Sequence, residues 1–553
     1  MKIKKIIYIA AFLAASVAGC KKEAFVEMNT DRTILNTIKP EEQFLNAAIR
    51  AHNSDMEAFY DHYRRIMPWM QMATAQTGNS KNFLNDIGNF NQRYSVFFPQ
   101  LGSILTDVQK LIDNMPEEER AKRVHMRVIP DILKVYYAFY VSDINGSIAF
   151  TDAFQARYQG TLTPAYQTQQ ELFGLWDARL KEVIDTLKST PSVEQVSLGV
   201  NDLYYGGNVT KWIRAANALR LKMAIRQLKR DETKAKAIIA DVLADPEQMA
   251  SNEDSWVMYS DFSFNSGGNW DPTGLRAPKP TVDFMWNNSD PRMRMFYQKN
   301  NYTEANLKVA IDSNIYRPGT VWNPRQYVGA PISPDASQGQ YRDWFTGKRV
   351  SSRLTLDTIS YLQYRMWQPA SDTGTGRSFF PIITYADYAF MRAEIAARGL
   401  ATGDAGQWYN IGIEASIRFY DDAARNAKLR DYTPVTNPEI EAYKNAPDVK
   451  FDPAKAIEQI VIQSYINYYK QPNEAWAIYK RTGMPNKNTA LANEDIVIDG
   501  VVRDIPRRAS LMIPVSTDPN YQTRQTALDE MAKDPDFGQG PSDVFGRVWW
   551  DKK

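Results

Sequence analysis

Residues 210–230 run without a glycine or a proline, and an α-helix is the one regular structure that suits them. At about 100° per residue, Lys211, Arg214, Lys222, Arg226 and Lys229 fall on one side. Trp212, Ile213, Ala216, Leu219 and Met223 fall on another, toward a core. Asn217 and Arg220 lie within the apolar sector. A buried guanidinium needs an acid or carbonyls as partners, so a structural polar network is expected there, reaching Asp387 or Glu394.

A helix of this kind cannot bury its stripe alone, and other segments offer partners. Helical periodicity is read over residues 41–58, 101–115, 123–141 (interrupted at Pro130), 170–187, 384–398, 407–425, 453–469 and 474–480. Gly399 follows 384–398 as a C′ residue. Asp452 stands before Pro453 as an N-cap. Helices separated by short turns predict a mainly α fold with tetratricopeptide-like helix pairs. Residues 251–370 differ: they hold six of the 13 Trp, nine Pro and seven Gly, with poor helical period. They read as a loop-rich aromatic subdomain inside one domain spanning 41–553, and loops on a rigid scaffold are where binding residues concentrate.

Several function classes are excluded or left without support. A net charge of +2 with 24% charged residues gives no basic field for nucleic acid. With one Cys there is no intrachain disulfide and no Cys-based metal site. The three His (His52, His62, His125) lack metal-ligand spacing, and neither a nucleophile elbow nor a phosphate loop occurs. No catalytic residue, metal or cofactor is therefore assigned. Asn252, Asp254, Asp261 and Asn265 read as solvated loop residues rather than Ca²⁺ ligands. Carboxylates are abundant, so a surface hydrolase with a carboxylate pair stays open as a minor alternative.

The N-terminus reads as a processing segment. Lys2, Lys4 and Lys5 precede the apolar residues 6–15, too short to span a bilayer, which takes about 20 residues. Val17-Ala18-Gly19-Cys20 looks like a bacterial lipobox, which makes residues 1–19 a signal peptide and Cys20 a lipidated first residue. Multiple acylation gives stable anchoring where one chain does not. Residues 20–40 then form a polar tether.

Motifs spread along the chain resemble the SusD/RagB family of outer-membrane nutrient-binding lipoproteins, in particular its SusD-like 2 branch. Lys22-Glu23-Ala24-Phe25-Val26-Glu27-Met28-Asn29-Thr30 is similar to the family's opening, without its usual Pro. Ser142-Asp143-Ile144-Asn145-Gly146 through Phe150-Thr151-Asp152-Ala153 resembles its "YGDIPYTEA" segment, with Ile148-Ala149-Phe150 departing from it. Asp202-Leu203-Tyr204-Tyr205-Gly206-Gly207 followed by Lys211-Trp212-Ile213-Arg214 is the strongest likeness. Thr384-Tyr385-Ala386-Asp387-Tyr388, Glu474-Ala475-Trp476, Tyr479-Lys480-Arg481-Thr482-Gly483 and Ile505-Pro506-Arg507-Arg508 follow in family order. The resemblance implies a helical scaffold with a variable ligand face and a lipid-anchored, surface-exposed place on the outer membrane. It also implies a SusC-like TonB-dependent barrel as partner. The ligand it implies is an oligosaccharide, with a peptide or other non-glycan as the alternative on the same scaffold.

Sugars present flat C–H faces to aromatic rings and hydroxyls to amides and charged groups. Three groups of residues fit. Trp69 lies with Gln71 and Gln76 and holds the position of the family's first ligand-facing loop. Trp270 lies with Asn265 and Arg276 in a Gly-rich loop. Trp286, Trp322 and Trp344 each have amides or Arg nearby. The competing reading of each Trp is packing, since a loop-rich subdomain needs aromatic plugs.

Overall fold

A computed structural model describes residues 38–51, 54, 56–85, 87–260, 272–368 and 375–553. The lipobox and tether, with Cys20, therefore lie outside the described residues.

The principal helices are α1 (Pro40–Arg50), α2 (Gly102–Asp113), α3 (Val124–Asn145), α4 (Gln169–Lys188), α5 (Val209–Arg226) and α6 (Glu232–Ala244). After them come α7 (Lys279–Asn287), α8 (Tyr385–Ala397), α9 (Ala405–Asn426), α10 (Ala456–Asn467), α11 (Pro472–Thr482) and α12 (Tyr521–Met531). They stack in sequence-adjacent pairs. α1 packs on α2, α3 on α2 and α4, and α5 on α4 and α6. α8 packs along α9, and α10 lies against both. This is the mainly α, tetratricopeptide-like arrangement the periodicity predicts. No helix among the described residues is long and apolar enough to cross a membrane.

Local chemistry sets the helix ends. Thr168 with Glu171 and Thr384 with Asp387 form capping boxes at the starts of α4 and α8. Asp452 accepts from the Ala454 amide at 2.9 Å, and Gly399 takes a left-handed φ of +65°, as read from the sequence. The break expected at Pro130 does not occur, because α3 runs straight through it. A helix-interior proline costs about 3 kcal/mol. Every residue of α3 from Val128 to Asn145 is buried, and that burial outweighs the cost.

α5 also departs from expectation. Lys222 and Arg226, placed on the outer side by the periodicity, are 4% exposed. The helix touches α3, α4, α6 and α8, so most of its circumference is interior. Burial forces the charges to pair. Arg226 binds Asp143 and donates to Glu474 at 2.8 Å, while Lys222 lies 3.4 Å from Glu474. Arg220 does not reach Asp387 or Glu394. It pairs at 2.7 Å with Asp177 on α4 and with Asp241 on α6, and Asn217 donates to Asp245. Glu394 is held by Arg481 and Arg398, and Asp387 by Asn467 and the Thr384 cap.

Two strands, β1 (Trp256–Ser260) and β2 (Ser378–Ile383), pair antiparallel, with Met258 opposite Phe380 and Ser260 opposite Ser378. The first leads into the loop-rich stretch and the second leads out of it. The stretch therefore leaves and re-enters the helical body at one place.

Candidate functional site

The predicted residues separate into buried ones that build the scaffold and exposed ones that face solvent. Trp69 belongs to the first group and corrects the sequence reading. It ends a short helical turn (Met67–Trp69) that continues a π-helical stretch (Glu57–Ile66), and it is 0% exposed. Its indole donates to the Phe83 carbonyl at 3.1 Å and packs edge-on to Phe90 and tilted against Trp476. No ring face remains for a ligand. Gln71 is also buried, at a left-handed φ of +57°. Its amide donates to the Glu494 carbonyl at 2.7 Å and accepts from the Glu494 amide at 2.8 Å, which ties two distant stretches together. Both residues are structural here.

Arg276 is buried beside the exposed Gln76. Thr74 and Arg276 exchange backbone hydrogen bonds of 2.9 Å, and the Ala277 amide donates to Ser360. Three chain segments are thus laced together by single bridges. The Arg276 guanidinium lies 3.8 Å from the centre of the Tyr361 ring, and its Nη1 is buried with no hydrogen-bond partner among the described residues. Burial pushes its pKa down, against the opposing pull of Tyr361 and Asp357. Gly274 lets Gln76 lie close: a Cβ there would sit 3.3 Å from the Gln76 amide oxygen. Asn265 and Trp270 fall outside the described residues.

The solvent-facing group is aromatic. Trp344 is 37% exposed and rides a short helix (Arg342–Thr346), whose Phe345 is buried beneath. Tyr341 stands edge-on to it, with ring centres 4.9 Å apart. Trp286, near the end of α7, is 40% exposed, with the Arg325 guanidinium 5.3 Å from its ring. Arg325 is held by Asp283 and by the Tyr327 carbonyl, and Lys279 donates to Asp283 at 2.7 Å. That bond, and secondarily the fields of Glu494 and Tyr341, raise the Lys279 pKa. The Lys279 amide also donates to the Ala330 carbonyl at 2.8 Å, and Ala330 packs with Phe345, the chain neighbour of Trp344. Trp322 is half-buried, donates to the Tyr302 carbonyl at 2.9 Å, and belongs to a neighbouring cluster with Tyr302, Tyr316 and Lys348.

This face presents two indoles, a phenol and a fixed set of charges. That combination stacks on apolar ring faces and hydrogen-bonds to hydroxyls. No group of three or more His, Cys, Asp or Glu suited to a metal occurs among the described residues. Tyr341, Lys279 and Asp283 were not singled out in the sequence. The i, i+4 spacing of Lys279 and Asp283 was the available signal for two of them.

A family model described as "Starch-binding associating with outer membrane" matches residues 33–319 and 323–503. No curated protein matches the sequence. Among solved structures, a chitin-binding protein aligns with a TM-score of 0.70 at 20% identity, over 93% of this chain and 100% of its own. A SusD homologue from Bacteroides fragilis NCTC 9343 aligns with a TM-score of 0.66 at 19% identity, over 93% and 100%. A chitin-binding SusD homologue from Flavobacterium johnsoniae aligns with a TM-score of 0.62 at 18% identity, over 93% and 98%. At these identities the likeness is one of fold.

Proposed function

The chain belongs to the SusD-like_2 family, and on that premise we propose that it captures oligosaccharides at the cell surface on the face built by Trp286, Tyr341 and Trp344. In this reading a lipid on Cys20 holds it to the outer membrane, and it delivers ligand to a SusC-like TonB-dependent transporter without chemically altering it. The observation that carries the reading is the exposure of Trp286 and Trp344 in a protein where Trp69, Trp176, Trp212, Trp256, Trp476 and Trp550 are fully buried. An exposed indole locked by Arg325, or by a neighbouring phenol, is ordered before ligand arrives. Little entropy is then lost on binding. Sugar C–H faces would lie on the two indoles while Arg325, Lys279, Asp283 and Gln76 exchange hydrogen bonds with hydroxyls.

Starch-derived oligosaccharides, suggested by the family description, and chitin-derived ones, suggested by the two chitin-binding fold relatives, are the first ligands to try. Calorimetry of the purified chain against both series, with mixed oligopeptides alongside, tests the reading. Binding of one glycan class should weaken by at least about tenfold, or ~1.4 kcal/mol, in Trp344→Ala or Trp286→Ala. Binding of peptides alone would keep the receptor role and replace the ligand class. A cleaved glycan recovered from the mixture would refute the non-catalytic reading.

A further inference from the structure

A second concavity lies elsewhere on the molecule and draws nothing from the loop-rich stretch. It is a cleft of about 290 Å³ between the chain entering residues 92–96, the end of α3, Tyr166, and one face of α12. Arg524, Ala527, Leu528 and Met531 recur every three or four residues, so a single stripe of α12 forms one wall. The helix is pinned by a small apolar cluster of Leu511, Leu528 and Phe537, with Met531 packed beside it. Met531 and Ser147 also line a second cavity of about 180 Å³.

The polar groups of the cleft are mutually organised. The hydroxyls of Tyr94 and Tyr166 are 3.2 Å apart, and Arg524 Nε donates to the Tyr166 oxygen at 3.0 Å. Burial raises the Tyr94 pKa, so that phenol stays neutral. Asn91 and Asn145 exchange side-chain amide bonds of 2.7 and 2.9 Å, and Asn145 also donates to the Val141 carbonyl. The Asn91 backbone, left-handed at φ +84°, is fixed by the Asp61 carboxylate at 3.0 Å. Ser95, Ser147 and Ser510 add hydroxyls, and Phe90, Leu511 and Leu528 add apolar surface.

Charge excludes most ligand classes. No carboxylate lines the cleft, so a divalent cation finds no ligands. Arg524 is its one charged lining residue, and Asp518 neutralises it at 2.9 Å, so an anion gains little. What remains is a neutral molecule with hydroxyls that both donate and accept and with one apolar side. We infer that this cleft is a second ligand site, one that takes a single neutral sugar unit independently of the exposed aromatic face. The ring's C–H side would rest on Phe90 and Leu528, and its hydroxyls would exchange with Tyr94, Tyr166, Asn91 and the serines. The volume lies at the lower edge of the roughly 300–1,000 Å³ of small-molecule sites, which suits a small ligand rather than an extended chain.

The test is calorimetry of the purified full chain with N-acetylglucosamine, glucose and galactose, repeated on Ser95→Trp, Arg524→Ala and Trp344→Ala. Ser95 is exposed at the rim, so an indole there closes the mouth without entering the core. At least one monosaccharide should bind, at least about tenfold more weakly in Ser95→Trp and Arg524→Ala and unchanged in Trp344→Ala. Silence from all three sugars, or binding that Ser95→Trp leaves intact, overturns the inference. So does a peptide, rather than a sugar, whose binding Ser95→Trp abolishes. Oligosaccharide binding lost only in Trp344→Ala belongs to the aromatic face, so the two sites can fail separately.

Discussion

Trp69→Ala separates packing from recognition. The indole is 0% exposed and touches Phe90 and Trp476 with ring centres 5.4 and 5.6 Å away. Replacing a buried Trp by Ala costs about 3–5 kcal/mol, through lost burial and the cavity left behind. The Phe83 carbonyl also loses the indole N–H at 3.1 Å, and an orphaned buried acceptor adds about 1 kcal/mol. A loss of about 4–6 kcal/mol is therefore expected. Trp344→Ala removes a side chain that is 37% exposed, and surface truncations stay within about 0.5 kcal/mol. Urea unfolding of both variants, followed by far-ultraviolet circular dichroism, should show a large drop in midpoint for the first and almost none for the second. Glycan affinity should respond in the opposite sense, with Trp344→Ala the weaker binder. A Trp69→Ala protein of wild-type stability that no longer binds glycan would refute the reasoning and return Trp69 to the ligand site.

Three further outcomes are expected. Burial would push Glu394 up, but Arg481 and Arg398 outweigh it and hold its pKa at about 2, below its unfolded value. Its contribution, on the order of 3 kcal/mol, is present above about pH 4.3 and is lost as pH falls toward 2; Glu394→Gln should flatten that part of the acid limb in urea midpoints measured across the range. Gly412→Ala should destabilise by about 1–3 kcal/mol in the same assay, because the new Cβ would meet the Phe390 ring of α8 at 2.5 Å. Cys20→Ala should move the protein from the membrane to the soluble fraction, and unchanged membrane association would refute the lipobox reading.

The helical body was legible because its signals are local. Periodicity marked most of the long helices to within a few residues, although 41–58 overran α1 and α6, α7 and α12 were not read, and Asp452 and Gly399 marked two ends by backbone chemistry alone. The reading failed where it assumed one buried face per helix. α5 is enclosed by four other helices, so Lys222 and Arg226 are interior cations, and their partners Asp143 and Glu474 lie far away in sequence. Pro130 failed for a related reason, since a local penalty of about 3 kcal/mol is small against the burial of most of α3.

The site was less legible, and the reason is the same non-locality. Trp69 and Trp344 look alike as residues near amides, yet one is sealed by Phe83, Phe90 and Trp476 and the other stands on a short helix over Phe345. Which indole faces solvent depends in part on contacts that no window of sequence contains, such as that of Trp69 with Trp476. Arg325 is fixed by Asp283, 42 residues away, and Arg524 meets Tyr166 across 358 residues. Regular periodicity builds a scaffold whose faces are already committed to one another. Segments with less of that commitment, such as residues 272–368, leave Trp286 and Trp344 exposed. The weakly patterned residues 272–368 are therefore where exposed indoles are found, and the absence of periodicity there is itself the usable signal.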